Sequence, residues 1–186
     1  MILLDDNFAS IVAAIEEGRA VYDNIRKFLS YILTSAVPEL VPYLFFALFN
    51  IPLPLTIIQI LAVDLGTDML PALGLGANPP AQGIMTRPPK GRNERLLNWP
   101  LLLRAYLFLG LLEASAAMTA YYLVLHNGGW AWGEALGIHD TLYQQATTAC
   151  LASIIIMQIV NVFLCKTPDR TLFGSAIFSN RLILWG

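Results

Sequence analysis

The chain has 186 residues, of which 56% are hydrophobic and only 13% are charged, and its formal net charge is −2. Its mean hydropathy is +0.60. Soluble domains carry about 25% charged residues, so the composition excludes an ordinary soluble protein. It predicts an integral membrane protein that has the lipid bilayer as its solvent and no nucleic-acid partner.

The N-terminal part predicts an amphipathic helix that runs into the membrane. Apolar residues recur at helical spacing from Phe8 to Leu29, and charged residues occupy the positions between them. Gly18 alone does not stop such a helix. We therefore expect one long helix, polar over residues 8–27 and embedded in the bilayer from residue 28 onward.

Four apolar stretches are long enough to cross a hydrocarbon core, which takes about 20 helical residues. They cover residues 28–49, 55–75, 101–125 and 142–164, and a further apolar run, which we expect to be a truncated span, begins at Leu182. The predicted fold is an all-α membrane protein. A cytosolic stalk helix runs into an antiparallel bundle of four transmembrane helices, followed by the start of a fifth.

The positions of the basic residues predict the orientation of these spans. All eleven Lys and Arg residues lie at the N-terminus, in or beside the 77–98 connection, or after the fourth span. The loop of residues 126–141 contains none. Because cytoplasmic loops are enriched in Lys and Arg, we expect both ends of the four-span region and the 77–98 loop to be cytoplasmic.

Three acids lie within the apolar runs: Glu39, Asp64 and Asp68. A charged side chain at the bilayer centre costs about 2.5–3.5 kcal/mol on insertion scales. The short connection at residues 50–54 makes the first two spans antiparallel neighbours, so Glu39 and Asp64 should reach a similar depth. Carboxylate oxygens without Cys or His suit alkali or alkaline-earth cations. The alternative is that the acids are neutral and hydrogen-bonded to neighbouring helices.

Other polar residues of the spans give weaker evidence for a cation site. Ser35 lies on the same helical face as Glu39, and Pro38 and Pro42 release backbone carbonyls one turn earlier. Gln158 and Asn161 are three residues apart on the fourth span, where hydrogen bonding between helices and cation binding are equally open. Glu113, in the third span, is compatible with either a packing role or a role in the site.

Several segments resemble one known family. MILLDDNFASIVAAIEEGRAVYDNIRKF (1–28), YILTSAVPELVPY (31–43), NIPLPLTIIQILAVDLGTDMLPA (50–72) and MQIVNVFLCKT (157–167) resemble the C-terminal part of type II P-type cation-transporting ATPases. The sodium/potassium and calcium pumps belong to this group. The resemblance covers essentially the whole chain.

The resemblance implies a division of the chain. Residues 1–7 would end the phosphorylation domain, residues 8–27 would form the stalk, and residues 28–186 would form the C-terminal transmembrane domain. The four spans would be the fifth to eighth helices of a ten-helix pump, with Leu182 starting the ninth. It also implies a set of cation ligands, with the metal held chiefly by the three carboxylates: Thr34, Ser35, Glu39, Asp64, Thr67, Asp68, Gln158 and Asn161.

Departures from the family pattern leave the ion open among Na⁺, K⁺ and Ca²⁺. Ala36 stands where these pumps usually have an Asn ligand, and Asn161 stands where sodium pumps tend to have an acid. Asp64 matches the sodium/potassium pumps, whereas calcium pumps carry an Asn there.

The chain lacks the DKTG, TGE and GDGxND motifs with which the family hydrolyses ATP. We therefore expect no catalytic residue and no bound cofactor in this chain. ATP and Mg²⁺ would act in the intact pump, through its actuator, nucleotide-binding and phosphorylation domains, and the fourth helix would complete the site. The expected location is the plasma membrane. The alternative is an ATP-independent membrane protein, either ion-coupled or an assembly or regulatory subunit.

Overall fold

A computed structural model describes residues 8–81, 83–88, 91 and 95–166 of the chain. Its regular structure within these residues is entirely helical, and four helices are long and apolar enough to cross a membrane. The predicted all-α bundle is therefore confirmed. The expectations for Met1–Asn7 and for the apolar run from Leu182 lie outside the described residues. The helices are α1 (Phe8–Phe49), α2 (Ile57–Gly76), α3 (Trp99–Asn127) and α4 (Thr141–Lys166).

The helix α1 is continuous over 42 residues, although Pro38 and Pro42 lie inside it. Its first residue, Phe8, is 76% exposed, whereas Tyr31 is completely buried. This difference follows from packing, because the second half of α1 contacts the other three long helices, for example through Tyr31 with α2, Val37 with α3 and Ser30 with α4. The long helix predicted from the periodicity is thus present, and its apolar half is the central element of the bundle.

The helix α2 has an irregular middle. Thr56 caps its N-terminus in a reciprocal arrangement with Gln59, but residues Val63–Asp68 are wound as a π-helix instead of the α-helix expected from the sequence. A local reason is Pro71, which has no N–H to donate to the Thr67 carbonyl one turn earlier. Such wide turns are frequently found at functional sites. This one spans both acids of α2.

The bundle is held together at the end where α1 meets α2. The Tyr121 hydroxyl on α3 donates a hydrogen bond of 2.8 Å to the Pro52 carbonyl in the α1–α2 connection. α3 and α4 also pack closely against each other, and the fully buried residues Ala117, Ala146 and Ile154 belong to one hydrophobic core cluster on these two helices. These contacts fix the heights of the helices relative to one another.

At the opposite end, two side chains of α1 hold the connection that follows α2. Arg19 Nη1 donates to the carbonyls of Ile84 at 3.0 Å and Arg87 at 2.8 Å. Asn24 Nδ2 donates to the carbonyls of Gly76 at 3.3 Å and Asn78 at 2.6 Å. We call these four hydrogen bonds the stalk clamp. They join the N-terminal half of α1 to the end of α2 and to the loop beyond it.

Candidate cation site

The three acids predicted from the apolar runs come together between α1 and α2. One carboxylate oxygen each from Glu39, Asp64 and Asp68 lies within 4.8 Å of the other two. Glu39 and Asp64 therefore reach a similar depth, as the short connection between their helices led us to expect. We call these three residues the acid cluster.

Negative charges in the acid cluster would repel one another, and a bound cation would relieve that repulsion. Two like charges 4.8 Å apart repel by roughly 3.5 kcal/mol at an effective dielectric constant of about 20. The ion pair Arg87–Asp23 lies away from the acid cluster. Glu39 Oε1 is also buried without a hydrogen-bond partner in the described part of the chain. Hard oxygen ligands of this kind can bind an alkali or alkaline-earth cation.

Tyr31 is hydrogen-bonded to the acid cluster, a role that was not predicted from the sequence. Its hydroxyl lies 3.1 Å from Asp68 Oδ1 and 3.2 Å from the Thr67 carbonyl oxygen. The carbonyl is available because Pro71 cannot donate to it. A usable signal was present, since Tyr31 lies three residues before Thr34 and thus on the same face of α1.

The predicted hydroxyl ligands lie on the same two helices. Thr34 and Ser35 are buried, and they donate to the carbonyls of Ser30 at 2.8 Å and Ile32 at 3.2 Å. The Thr34 hydrogen is thus used within α1, and the lone pairs of its oxygen stay free to accept a hydrogen bond or bind a cation. The Ser35 hydroxyl has one hydrogen and two acceptors near it, the Ile32 carbonyl and the Asp68 carboxylate.

Of the residues predicted on α4, Gln158 contacts the π-helical turn of α2. Thr67 Oγ1 is 2.8 Å from Gln158 Oε1, which connects α2 to α4. Gln158 and Asn161 are 1% and 3% exposed, and their amide nitrogens Nε2 and Nδ2 have no hydrogen-bond partner in the described part of the chain. Asn161 Oδ1 accepts from the Cys165 thiol at 3.4 Å. Both amides thus face the interior of the bundle.

The described residues do not enclose the acid cluster. None of its three side chains is fully buried, and Asp64 is the most exposed. Next to it, a side chain added at Gly66 would meet no other atom within 4 Å. Because an ionised carboxylate facing lipid is costly, and such residues face protein or a water-filled cavity instead, we do not expect this side of α2 to face lipid when the chain spans a membrane.

Four apolar helices, two of which bring three carboxylates together, define a helical integral membrane protein with a candidate cation site. Residues 52–186 match the family described as "Cation transporting ATPase, C-terminus". The chain therefore belongs to the cation-transporting P-type ATPases, and it corresponds to their C-terminal region.

Curated relatives with similar sequences include alpha subunits of sodium/potassium-transporting ATPases. The whole chain aligns at 38% identity with the sodium/potassium-transporting ATPase subunit alpha-1 of Catostomus commersonii. It aligns at 37% identity with the alpha-3 subunit of Homo sapiens and at 39% with the alpha-4 subunit of Rattus norvegicus. The chain spans 20–21% of the length of these relatives.

Proposed function

We propose that this chain forms part of an ATP-driven cation pump and supplies the carboxylate ligands of its intramembrane cation site. The observation that carries the proposal is the acid cluster, in which three oxygens from two apolar helices converge within 4.8 Å. Additional ligands in the proposal are the hydroxyl and amide groups that face the same interior: Thr34, Ser35, Thr67, Gln158 and Asn161.

In this proposal, the described residues form only part of the pump, and its other parts have the following roles. Residues 1–7 end its phosphorylation domain, and residues 28–186 form its C-terminal transmembrane domain. The fourth helix of the pump covers the exposed side of Asp64 and adds ligands there. The actuator, nucleotide-binding and phosphorylation domains bind ATP and Mg²⁺. The names of the similar pumps favour Na⁺ or K⁺ as the transported cation over Ca²⁺.

Residues 8–27 act in the proposal as a stalk that couples phosphorylation to the cation site. The stalk clamp supports this role because Arg19 and Asn24 donate hydrogen bonds to backbone carbonyls at the end of α2 and in the connection that follows it. A displacement of the stalk is therefore transmitted to α2 at its C-terminal end. Asp68 lies on that helix, about 12 Å before Gly76 at ~1.5 Å per residue.

The test of the proposed function is ATP hydrolysis by the purified full-length protein that contains this chain. We expect phosphorylation and ATP turnover to require one of the cations Na⁺, K⁺ or Ca²⁺ in addition to Mg²⁺, because the stalk couples the two sites. The measurement is a titration with each cation separately and at several pH values. Turnover that is independent of all three cations would contradict the proposal, and absence of any ATP turnover would favour an ATP-independent membrane protein.

The proposal places the protein in the plasma membrane, with both ends of the four-span region in the cytoplasm. Single cysteines can test this orientation, because the native Cys150 and Cys165 are buried and should react slowly. We expect Ile138→Cys, a position that is 73% exposed, to react with an impermeant maleimide added to intact cells. The matched variant Ala81→Cys should react only after the cells are opened. The reverse pattern would overturn the orientation.

A further inference from the structure

The connection between α1 and α2 is held by two tyrosine side chains. The Tyr121 hydroxyl on α3 donates to the Pro52 carbonyl at 2.8 Å, and the Tyr43 hydroxyl on α1 donates to the Leu55 carbonyl at 3.4 Å. Because Pro52 and Pro54 carry no N–H with which to close a hydrogen-bonded turn, the connection relies on donors from the helices. The shorter of the two bonds, from Tyr121, also ties the connection to a third helix.

Packing around Tyr121 leaves the connection little room to move. Tyr121 is completely buried, and Ile51 and Leu55 of the connected segment are 2% and 1% exposed. These three residues belong to one hydrophobic core cluster, which also contains Val63 on α2. Because protein interiors are close-packed, a shift of one member requires a rearrangement of its neighbours. The cluster thus joins α3 to the start of α2 and to the residue directly before Asp64.

The position of the connection determines the position of Asp64. The segment between them is a regular α-helix over Ile57–Ala62, and Thr56 and Gln59 cap its N-terminus reciprocally. Asp64 lies eight residues after Thr56, about 12 Å along the helix axis, and near the start of the π-helical turn. A short capped helix moves largely as a unit, so a displacement of the connection also displaces the Asp64 carboxylate.

The position of Glu39 is set in a different way. Glu39 lies ten residues before the end of α1 at Phe49, about 15 Å along the axis. Two residues before it, Val37 packs against Gly110 on α3 so closely that a β-carbon there would lie 2.5 Å from Val37 Cγ2. The spacing between the carboxylates of Glu39 and Asp64 therefore depends on the height at which the α1–α2 connection is held against α3.

We propose that Tyr121 is a positioning residue of the cation site, which acts through the Pro52 carbonyl and sets the spacing between the Asp64 and Glu39 carboxylates. This inference rests on the proposed function. Selectivity between cations depends on the size and the flexibility of the site, so a site with a fixed spacing discriminates more strongly than a loose one. Tyr121 thus contributes to the choice of cation, although its hydroxyl bonds to a residue that lies 12 positions before Asp64.

The test is Tyr121→Phe in the purified full-length pump, which removes only the hydroxyl. Apparent affinities are measured for cations of increasing radius within the charge class that activates ATP turnover: sodium, potassium and rubidium, or calcium, strontium and barium. Each is measured as activation or as competition with the activating cation. We expect the affinity ratio between the best and the worst bound cation to fall about 10-fold, within the range known for residues that support metal ligands.

The affinity ratio separates a positioning residue from a merely structural one, because loss of folded pump lowers the maximal turnover equally for all cations. Tyr122→Phe is the matched control. It removes the next hydroxyl of α3, from a ring that stacks on Trp132 in the α3–α4 loop, and should leave the ratio unchanged. Replacing Tyr121 by 4-aminophenylalanine keeps a hydrogen-bond donor at the same end of the ring and should restore the ratio.

A second variant keeps the inference testable if Tyr121→Phe is not monodisperse by size-exclusion chromatography. Pro52→Gly leaves Tyr121 in place and gives the backbone around the acceptor more freedom, so the same fall in the ratio is expected. An unchanged ratio in the variant that is recovered overturns the inference, as does an equal fall in Tyr122→Phe. Turnover of the unaltered pump that is independent of all these cations would contradict the proposed function itself, and the inference would fall with it.

Discussion

Replacing Asp68 by Asn in the intact pump is expected to abolish cation-stimulated ATP hydrolysis while the protein still inserts into the membrane. Asp68 belongs to the acid cluster, accepts from Tyr31 at 3.1 Å and is reached by Ser35. Asn removes the negative charge but keeps the size of the side chain. We expect the same loss for Asp64→Asn. The measurement is ATP turnover against cation concentration, together with the amount of pump in purified membranes.

Two controls sharpen this experiment. Tyr31→Phe removes only the hydroxyl that orients Asp68, and we expect it to lower the apparent cation affinity about 10- to 100-fold, as outer-shell substitutions at metal sites do. Ser115→Ala changes an exposed residue of α3 that bonds within its own helix and should have no effect. Normal cation-dependent turnover in both the Asp64 and the Asp68 variants would remove these residues from the site.

The second large effect is expected for Gly110→Ala, which should destabilise the bundle. A β-carbon at Gly110 would lie 2.5 Å from Val37 Cγ2 and 2.9 Å from the Ala105 carbonyl oxygen. The contact with Val37 forces α1 and α3 apart, the contact with Ala105 crowds α3 itself, and overpacking of this kind costs about 1–3 kcal/mol. Because Val37 lies between Ser35 and Glu39 on α1, the shift should also disturb the acid cluster. The measurement is the temperature of half-inactivation of the detergent-solubilised pump.

The chain offers a matched glycine for comparison. Gly18 lies in the exposed part of α1, where an added β-carbon would meet no atom within 4 Å. Gly18→Ala should therefore be neutral or stabilising by up to about 1 kcal/mol, as helix propensity predicts. Val37→Ala combined with Gly110→Ala should recover only part of the lost stability, since it removes the clashing Cγ2 atom but keeps Val37 Cβ, which lies 2.7 Å from the added β-carbon. Equal stability of the two single alanine variants would show that the close approach of α1 and α3 is not needed.

The sequence predicted those features that depend on residues close together in the chain, such as the four membrane-spanning helices. Each span has about 20 apolar residues, which is sufficient to form a membrane helix in isolation. The meeting of Glu39 with Asp64 was also predictable, because a short connection leaves the two helices little choice but to pack as neighbours. The comparison with known pumps supports the family but does not test the individual ligands.

What the sequence did not predict depends on contacts between distant segments. The π-helical turn at residues 63–68 has no periodicity signal, because it changes the winding of a helix that is apolar on most sides. Tyr31 was overlooked because an aromatic residue in a span usually packs, and its hydrogen bond to Asp68 exists only in the folded bundle. The burial of Glu113 likewise depends on how α3 packs against α1 and α4.

The stalk clamp has a consequence for how the α2–α3 connection can vary. All four of its acceptors are backbone carbonyls, of Gly76, Asn78, Ile84 and Arg87. A backbone carbonyl is present whatever the side chain, so substitutions at these loop positions leave the acceptors in place. Insertions or deletions would change the spacing between these carbonyls, so that Arg19 and Asn24 could no longer reach all four of them. We therefore expect related chains to keep the length of residues 76–87 while their amino-acid identities diverge.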